Sequence, residues 1–232
     1  MIIKPWDELP EELRLPEIRP YYDALAAKRG GLAAKRALDV LLSSVMLAVL
    51  SVPMLGIAAA VKLDSPGTVF YRQERVTQYG RRFRIHKFRT MVSNADKIGS
   101  AVTVSNDARV TRVGKALRHV RLDELPQLLD VLAGDMSFVG TRPEVPKYVD
   151  RYTTEMRATL LMPAGITSEA SIRYKDEDKL LDAAEDVDRV YVEQVLPGKM
   201  KYNLDSIRNF SLAGEITTMF RTLLAVTGKN YE

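Results

Sequence analysis

The chain has 232 residues, of which 46% are hydrophobic and 28% charged, and its formal net charge is +4. This length suits one compact domain plus a membrane element, and two full domains would be cramped. The absence of cysteine excludes a disulfide framework and a thiolate metal site. The lack of cysteine also fits a cytoplasmic setting. His86 and His119 stand apart from any ligand-like cluster, so we expect them to be ordinary surface or packed histidines.

The first 33 residues contain four prolines among alternating acidic and apolar residues. Proline lacks the amide hydrogen that a helix interior needs, so this spacing excludes a long helix. We expect residues 1–33 to form an extended surface arm that ends in a short helix over residues 21–28. The Gly30-Gly31 pair is expected to act as a hinge before the main body.

An apolar segment follows over residues 37–61, and Asp39 is the only charged residue in it. At about 1.5 Å per residue, a helix of this length could cross the roughly 30 Å hydrocarbon core of a bilayer. The run is longer than the apolar part of a secretory signal, and a long segment precedes it. We therefore assign residues 34–64 to a membrane helix.

Pro53 lies inside this run with Ser51 nearby, and a proline there removes a helix hydrogen bond and kinks the helix. Basic residues flank both ends of the run, and the positive-inside tendency places both ends on the cytoplasmic face. A re-entrant helix, which dips into the membrane and returns, is one interpretation. A single kinked helix that spans the bilayer is the other, and the residues alone leave both open.

Two later stretches, 68–76 and 81–91, alternate apolar and polar residues, and Gly80 lies between them. This alternation predicts a twisted β-hairpin. Apolar periodicity predicts helices over residues 111–120, 123–132, 145–161 and 212–226. The predicted fold class is therefore α+β, predominantly helical with a small β-hairpin.

The last predicted helix carries an apolar stripe. Its members are Leu212, Ile216, Met219, Phe220 and Leu223. We expect this stripe to pack into the core, because that is the commoner role of such a face. The alternative is an amphipathic helix that lies in the plane of the membrane interface.

Basic residues concentrate in two places. Residues 72–91 contain seven strong bases against one acid, and a second set recurs every third residue from Arg109 to Arg121, just before Asp123 and Glu124. Such patches bind nucleic acid, anionic lipid headgroups or a phosphorylated substrate. Because aromatic residues for base stacking are sparse and a membrane segment is close, we expect the lipid bilayer and a phosphorylated substrate, and no nucleic acid.

Asp123 and Glu124, with Pro126 after them, are typical of a helix N-terminus, where they would act as a cap and first-turn acids. That role is compatible with chemistry, because the positive end of a helix keeps a carboxylate ionised. A carboxylate that approaches a phosphorylated substrate is repelled by it, so cations are needed at such a contact. A Mg²⁺ ion and arginine side chains are groups that could supply them.

Three motifs resemble one known family. KFRTM at 87–91, RLDELPQLLDVL at 121–132 and GDMSFVGTRPE at 134–144 are similar to the bacterial sugar transferases, the monotopic phosphoglycosyl transferases. The order and spacing of the motifs match that family, as does the broken hydrophobic helix before them. The likeness covers residues 34 to 226.

The resemblance implies an enzyme of the bacterial inner (cytoplasmic) membrane that transfers a sugar-1-phosphate from a UDP-sugar to a polyprenyl phosphate and releases UMP. It implies residues 65–232 as a catalytic domain on the cytoplasmic face. It also favours the re-entrant helix, so the expected α+β fold includes one re-entrant, kinked membrane helix and interfacial amphipathic helices. A homo-oligomer stays open. Which sugar is transferred is also open.

The resemblance also assigns roles to individual residues. Asp123 would be the nucleophile that carries the phosphosugar, and Glu124 would assist proton transfer or metal binding, with both carboxylates at the Mg²⁺ ion. Substrate phosphates would be bound by Lys87, Arg118 and Arg142. The role of Asp135 is equally capping or metal contact.

The chain departs from the family pattern in three places. Val52 separates Ser51 from Pro53 at the helix break, and GTRP stands where GPRP is usual. Residues 163–174 read PAGITSEASIRY in place of the usual PGITGWAQVNG. We therefore assign no residue to the nucleotide or the sugar.

Two other functions remain as alternatives. Residues 176–178 and 186–188 both match the DxD pattern of metal-dependent glycosyltransferases, which would release UDP. Such matches arise easily in an acidic run, and no strand-like stretch precedes them. The second alternative is a non-catalytic membrane scaffold, for which the LDELPQL motif would be unnecessary.

Overall fold

The structure is a computed structural model, and it describes residues 3–95, 107–174 and 186–226. Helices make up most of the described chain, and three small two-stranded sheets accompany them. The predicted α+β class with a helical majority is therefore confirmed. The core has three parts, of which the first joins the N-terminal residues to the C-terminal helices.

The N-terminal residues are part of this core. Two 3-10 turns, Trp6–Glu8 and Glu11–Leu13, each follow a proline, and helix α1 spans Arg19–Ala26. The expectation of a surface arm is wrong, because the apolar side chains that alternate with the acids are buried against the C-terminal helices. The buried side chains are Ile3, Leu9, Leu13, Ile18, Tyr21, Tyr22 and Leu25.

Helix α2 spans Arg29–Asp64, 36 residues. It already contains the Gly30-Gly31 pair, so the hinge predicted there is wrong and the break falls just before the helix. A side chain at Gly31 would meet the ring of Phe210 at 3.3 Å, so a small residue is needed for packing and not for bending. By length and composition alone, α2 is long and apolar enough to cross a membrane.

The helix continues through Pro53, and the Ser51 hydroxyl donates to the Ala48 carbonyl one turn earlier at 2.8 Å. One stripe of α2 rests on the domain over the whole helix length, from Leu32 to Val61. The opposite stripe is apolar and exposed, and Val52 keeps 75% of its surface. The helix therefore lies along the domain and has an uncovered apolar face.

The predicted β-hairpin is confirmed. Strand β1 (Phe70–Tyr71) pairs with β4 (Lys87–Phe88), and β2 (Glu74–Val76) pairs with β3 (Arg82–Arg84), antiparallel and in one continuous register. Tyr79 and Gly80 have φ values of 59° and 74° in the turn. Glycine adopts this left-handed conformation without a steric penalty.

Helix α3 spans Arg112–His119, as predicted, and the Thr111 hydroxyl caps it by accepting from the Gly114 amide at 3.0 Å. The next predicted helix, 123–132, begins later. Residues Leu122–Glu124 form a 3-10 turn, and helix α4 spans only Gln127–Ala133. Asp123 and Glu124 therefore precede α4, and neither caps it.

The single helix predicted over residues 145–161 is wrong. Helix α5 spans only Pro146–Val149, and a separate 3-10 helix covers Glu155–Leu161. The Thr153 hydroxyl accepts from the Met156 amide at 3.3 Å. Threonine side chains compete in this way with the regular helix ladder, which starts a new turn here.

One parallel strand pair was not predicted. Strand β5 (Met136–Val139) lies beside β6 (Ala164–Thr167), next to α4. Helix α6 (Glu169–Arg173) follows β6. Helix α7 (Val187–Val190) continues through a π-helical turn, Tyr191–Val195, into helix α8 (Leu196–Arg208).

Helix α9 spans Leu212–Val226, as predicted, but its apolar stripe is not in the core. Phe220 and Leu223 keep 63% and 64% of their surface, while Met219 is partly buried. The core expectation is wrong because the polar side of α9 faces the domain. Contacts on that side join Lys35 to Glu215, Glu169 to Arg221 and Thr167 to Thr222.

Candidate active site

Three elements meet at a pair of carboxylates. Lys87 comes from strand β4, Asp123 and Glu124 come from the 3-10 turn before α4, and Arg142 comes from the segment after β5. One oxygen of Glu124, Oε1, accepts from Lys87 Nζ at 2.8 Å and from Arg142 Nη2 at 2.6 Å. The fold thus brings together four of the five predicted catalytic and phosphate-binding residues.

The local backbone explains how the two acids reach this position. Arg121 has φ 58°, a left-handed conformation that ends the run after α3 and turns the chain into the 3-10 turn. Pro126 then precedes α4 directly. Asp123 and Glu124 keep only 8% and 9% of their surface, so both carboxylates lie below the protein surface.

His86 and Asp130 hold β4 against α4. Asp130 accepts from the His86 backbone amide at 2.9 Å, and its second oxygen lies 2.6 Å from His86 Nδ1. Burial raises the pKa of Asp130, and the two hydrogen bonds from His86 oppose that rise. His86 is packed, as expected. Because His86 directly precedes Lys87, its two contacts with Asp130 hold this part of the chain against α4.

Arg118 reaches the site by another route. Its Nε donates to the Thr90 hydroxyl at 2.9 Å. Burial lowers the pKa of Arg118, and the negative charge of Asp123 opposes that effect. Arg118 therefore lies close enough to interact electrostatically with Asp123, while its hydrogen bond goes to Thr90, two residues after strand β4.

The environments of the two carboxylates differ. Burial raises the pKa of Asp123, the charge of Glu124 adds to this, and Lys87 opposes it. Burial would also raise the pKa of Glu124, but the charges of Arg142 and Lys87 together outweigh it and hold that pKa well below its usual range. Glu124 is thus an ionised partner of two cations.

The contacts of Asp123 differ from those of Glu124. Within residues 3–95, 107–174 and 186–226, no hydrogen bond or ion pair reaches the Asp123 side chain. Burial lowers the pKa of the neighbouring Lys87. The charge of Glu124 opposes this effect, and the charge of Arg142 adds to it. An ionised Asp123 beside these cations could act as a nucleophile or as a metal ligand.

Asp123 and Glu124 fit one divalent ion only if a bound substrate supplies further ligands. The described part of the chain has no group of three or more His, Cys, Asp or Glu side chains that could hold a metal. Asp123 is unengaged, and both cations bind Oε1 of Glu124, so Oε2 lies outside those two bonds. Mg²⁺ commonly takes one or two carboxylates and fills its shell with substrate phosphates and water.

Other acids from the sequence analysis lie elsewhere. Asp135 pairs with Arg81 at 2.6 Å. Of the two DxD matches, 176–178 lies outside the described residues. In the other, Asp186 accepts from the Arg189 amide at 2.9 Å and caps α7, and Asp188 accepts from Lys147 at 2.9 Å.

Sequence reasoning missed the residues that fix α2 to the site. Arg89 was counted as an anion-binding base, but its guanidinium donates to the carbonyls of Val61, Ser65 and Pro66 at the end of α2. Asp39 accepts from the Ser137 hydroxyl at 2.8 Å and from the Phe138 amide at 3.1 Å. The signal for Asp39 was visible, since it is the lone charge in the apolar run.

These features define a class: a helical protein in which basic side chains surround two buried carboxylates beside a long apolar helix. The sequence model of the bacterial sugar transferase family matches residues 31–229. The chain belongs to this family, as the three motifs indicated.

Several curated relatives are similar to the chain. A UDP-N-acetylgalactosamine-undecaprenyl-phosphate N-acetylgalactosaminephosphotransferase of Aeromonas hydrophila is 35% identical over 83% of this chain and 43% of its own length. A UDP-glucose:undecaprenyl-phosphate glucose-1-phosphate transferase of Escherichia coli (strain K12) is 35% identical over 92% of this chain and 44% of its own. The exopolysaccharide production protein ExoY of Rhizobium meliloti (strain 1021) is 33% identical over 85% and 86%.

The chain thus spans less than half the length of the first two relatives and most of the length of the third.

Proposed function

We propose that the chain is a phosphoglycosyl transferase that moves a sugar-1-phosphate from a UDP-sugar to polyprenyl (undecaprenyl) phosphate and releases UMP. The observation that carries this proposal is that two adjacent buried acids have different contacts. Glu124 binds Lys87 and Arg142, while the Asp123 carboxylate is unengaged among the described residues. The names of the relatives, two of which specify undecaprenyl phosphate and a UDP-sugar, support the same activity.

In the first half-reaction an Asp123 carboxylate oxygen attacks the phosphorus that bears the sugar. A new oxygen–phosphorus bond forms, the bond to the bridging oxygen of the diphosphate breaks, and UMP leaves with that electron pair. The phosphosugar is then held as an acyl phosphate on Asp123. A nucleophile without its own hydrogen-bond partner loses no protein contact when it makes this bond.

In the second half-reaction a phosphate oxygen of the polyprenyl phosphate attacks the same phosphorus. The bond between phosphorus and the Asp123 oxygen breaks, and the carboxylate is regenerated. The product is a polyprenyl diphosphate sugar, and no proton is required to balance either displacement. This step would be the first membrane step of surface-glycan synthesis.

The surrounding cations stabilise the charge that moves during both steps. Lys87 and Arg142 are held by Glu124 at 2.8 and 2.6 Å, so they are already oriented before the substrate arrives, and such preorganisation lowers the barrier. Among the described residues Arg118 is hydrogen-bonded through Nε only, so its terminal amino groups can bind a phosphate. A Mg²⁺ ion, if bound by Asp123 and Glu124, would supply charge neutralisation of the diphosphate.

The membrane placement belongs to the same proposal. We assign α2 as a re-entrant helix that reverses its course through the membrane near Ser51 and Pro53 while its helical hydrogen bonding continues, with the domain on the cytoplasmic face of the bacterial inner membrane. The exposed apolar stripes of α2 and α9 support this, because an aqueous protein rarely leaves such faces uncovered. A polyprenyl phosphate keeps its tail in the membrane and its phosphate at the interface, which is where this arrangement would place Asp123.

The proposal is tested by intact mass spectrometry of the purified protein after exposure to a panel of UDP-sugars with Mg²⁺ and without lipid acceptor. We expect a retained sugar-phosphate mass and stoichiometric UMP, both lost in Asp123→Asn. Asp150→Asn, which removes an exposed carboxylate outside the site, is the matched control and should load normally. UDP release, or full loading of a folded Asp123→Asn protein, would contradict the proposal.

The pH dependence of loading provides a second check on the nucleophile. Because burial raises the pKa of Asp123, the carboxylate takes up a proton at a higher pH than an ordinary aspartate does. A protonated carboxyl group is a poor nucleophile, so loading should fall as the pH falls through that raised pKa.

A further inference from the structure

Thr90 lies two residues after strand β4, where the chain contacts helix α3. Its carbonyl accepts from the Thr111 amide at 2.9 Å, at the start of α3. The helix approaches so closely that a side chain at Gly114 would overlap the same carbonyl. The hydroxyl oxygen of Thr90 accepts from Arg118 Nε at 2.9 Å, and Thr90 keeps only 6% of its surface. Thr90 therefore contacts both the beginning and the end of α3.

The hydrogen bond from Arg118 to Thr90 leaves most of the guanidinium free. Arginine has five N–H donors in a planar fork, and Nε uses one of them. Within the described ranges no hydrogen bond reaches the two terminal amino groups, which carry the other four donors. Because the guanidinium is planar, fixing Nε restricts the direction in which those amino groups point.

We infer that Thr90 is a positioning residue for Arg118, whose hydroxyl oxygen orients the guanidinium for the substrate diphosphate. The inference rests on the proposed function and adds a residue to which the sequence analysis gave no role. The charge of Asp123 acts on Arg118, so an oriented guanidinium lies near the nucleophile. Threonine thus acts through Arg118 and does not itself touch the substrate.

The size of the effect follows from the type of bond. Loss of one hydrogen bond to a charged group typically lowers an equilibrium or rate constant by roughly 10- to 100-fold. Thr90→Val removes the hydroxyl and keeps the β-branched shape, so the backbone contacts with α3 should persist. We expect kcat/KM for the UDP-sugar to fall about 10- to 100-fold. Thr90→Ser keeps the hydroxyl and should restore most of the parental value.

A double-mutant cycle separates positioning from a general structural role. Thr90→Val is compared with Arg118→Ala and with the double variant, and UMP release is measured with Mg²⁺ and acceptor. If Thr90 acts through Arg118, Thr90→Val causes no further loss in the Arg118→Ala protein. Losses that multiply, a parental rate in Thr90→Val, or failure of Thr90→Ser to recover would each overturn the inference.

A binding measurement distinguishes failure of this inference from failure of the proposed function. Inorganic diphosphate is titrated into the parent and the same variants with Mg²⁺, and affinity is followed by calorimetry. Weaker binding in Thr90→Val and in Arg118→Ala, with no additional loss in the double variant, supports the inference even if no UMP is released. Unchanged affinity in Thr90→Val, or in Arg118→Ala, overturns it, whatever the outcome of the loading assay.

Discussion

Glu124 offers the sharpest test of the electrostatics. Its Oε1 accepts from Lys87 and Arg142, and the side chains of all three are largely buried. Glu124→Gln keeps the size of the side chain but removes the counter-charge of two cations. Breaking a buried pair in this way costs about 3–5 kcal/mol. At roughly 2–4 °C per kcal/mol for a domain of this size, the melting temperature should fall by about 6–20 °C.

The pH dependence of this loss has a definite sign. The folded-state pKa of Glu124 lies well below its ordinary value because of Arg142 and Lys87, which outweigh the effect of burial. Its stabilisation is therefore present above the unfolded-state pKa and is lost as the pH falls through the folded-state pKa. The difference in melting temperature between the parent and Glu124→Gln should be largest near neutral pH and should narrow in acid.

The activity of Glu124→Gln should differ from that of the parent on the alkaline side of the pH profile. Burial lowers the pKa of Lys87, and Glu124 opposes that shift. Without the charge of Glu124, Lys87 should lose its proton at a lower pH, so the alkaline limb of UMP release should move to lower pH in Glu124→Gln.

The assay is thermal unfolding in a fixed detergent or nanodisc, together with a pH profile of UMP release. Glu74→Gln is the matched control, because Glu74 pairs with Arg82 on the surface and exposed pairs contribute about 1 kcal/mol or less. A Glu124→Gln protein that melts like the Glu74→Gln control and keeps the parental pH profile would refute the reasoning.

Two further predictions concern how α2 and α9 are held. Asp39→Asn weakens the hydrogen bonds from the Ser137 hydroxyl and the Phe138 amide. It should lower the free energy of unfolding by about 1–3 kcal/mol, more than Ser137→Ala does. A loss equal to or smaller than that of Ser137→Ala would argue against Asp39 as the residue that holds α2. Lys35→Met leaves the Glu215 carboxylate largely buried without its counter-charge, so adding Glu215→Leu should recover stability. A further drop in the double variant would contradict this.

The parts of the fold that depend on local pattern were predictable. The apolar run of α2, the apolar periodicity of α3 and the alternation in the hairpin are signals over short stretches of chain, and each corresponds to an element in the structure. The convergence of Lys87, Glu124 and Arg142 was predictable only through the family resemblance. No spacing rule brings together residues 87, 124 and 142.

Elements that depend on distant contacts were missed. Strands β5 and β6 have four residues each, and the parallel pairing joins segments more than 20 positions apart. The two segments lie so close together that a side chain at Gly165 would overlap the Gly140 backbone. A single sequence does not reveal that two distant segments pack this closely. The N-terminal residues were misjudged for the same reason, because their local proline spacing says nothing about the helices that cover them.

The face of α9 was misjudged because amphipathicity does not specify which solvent lies on the apolar side. The polar side contains Glu215 and Arg221, which pair with Lys35 and Glu169 on neighbouring helices. Charged residues that pair inward reverse the usual arrangement of an aqueous domain. The lone charge Asp39 in α2 was the comparable signal.

Helix α2 is attached to the domain near both ends, through Asp39 at the first half and through Arg89 at the last turn. Tilting the helix independently would break one of these attachments. If α2 lies in the bilayer as proposed, a thinner or thicker bilayer would therefore move the domain together with the helix, and the Asp123 carboxylate would change height with it. Acyl-chain length should then affect how readily the acceptor phosphate meets Asp123, even though no residue of the site touches the acyl chains.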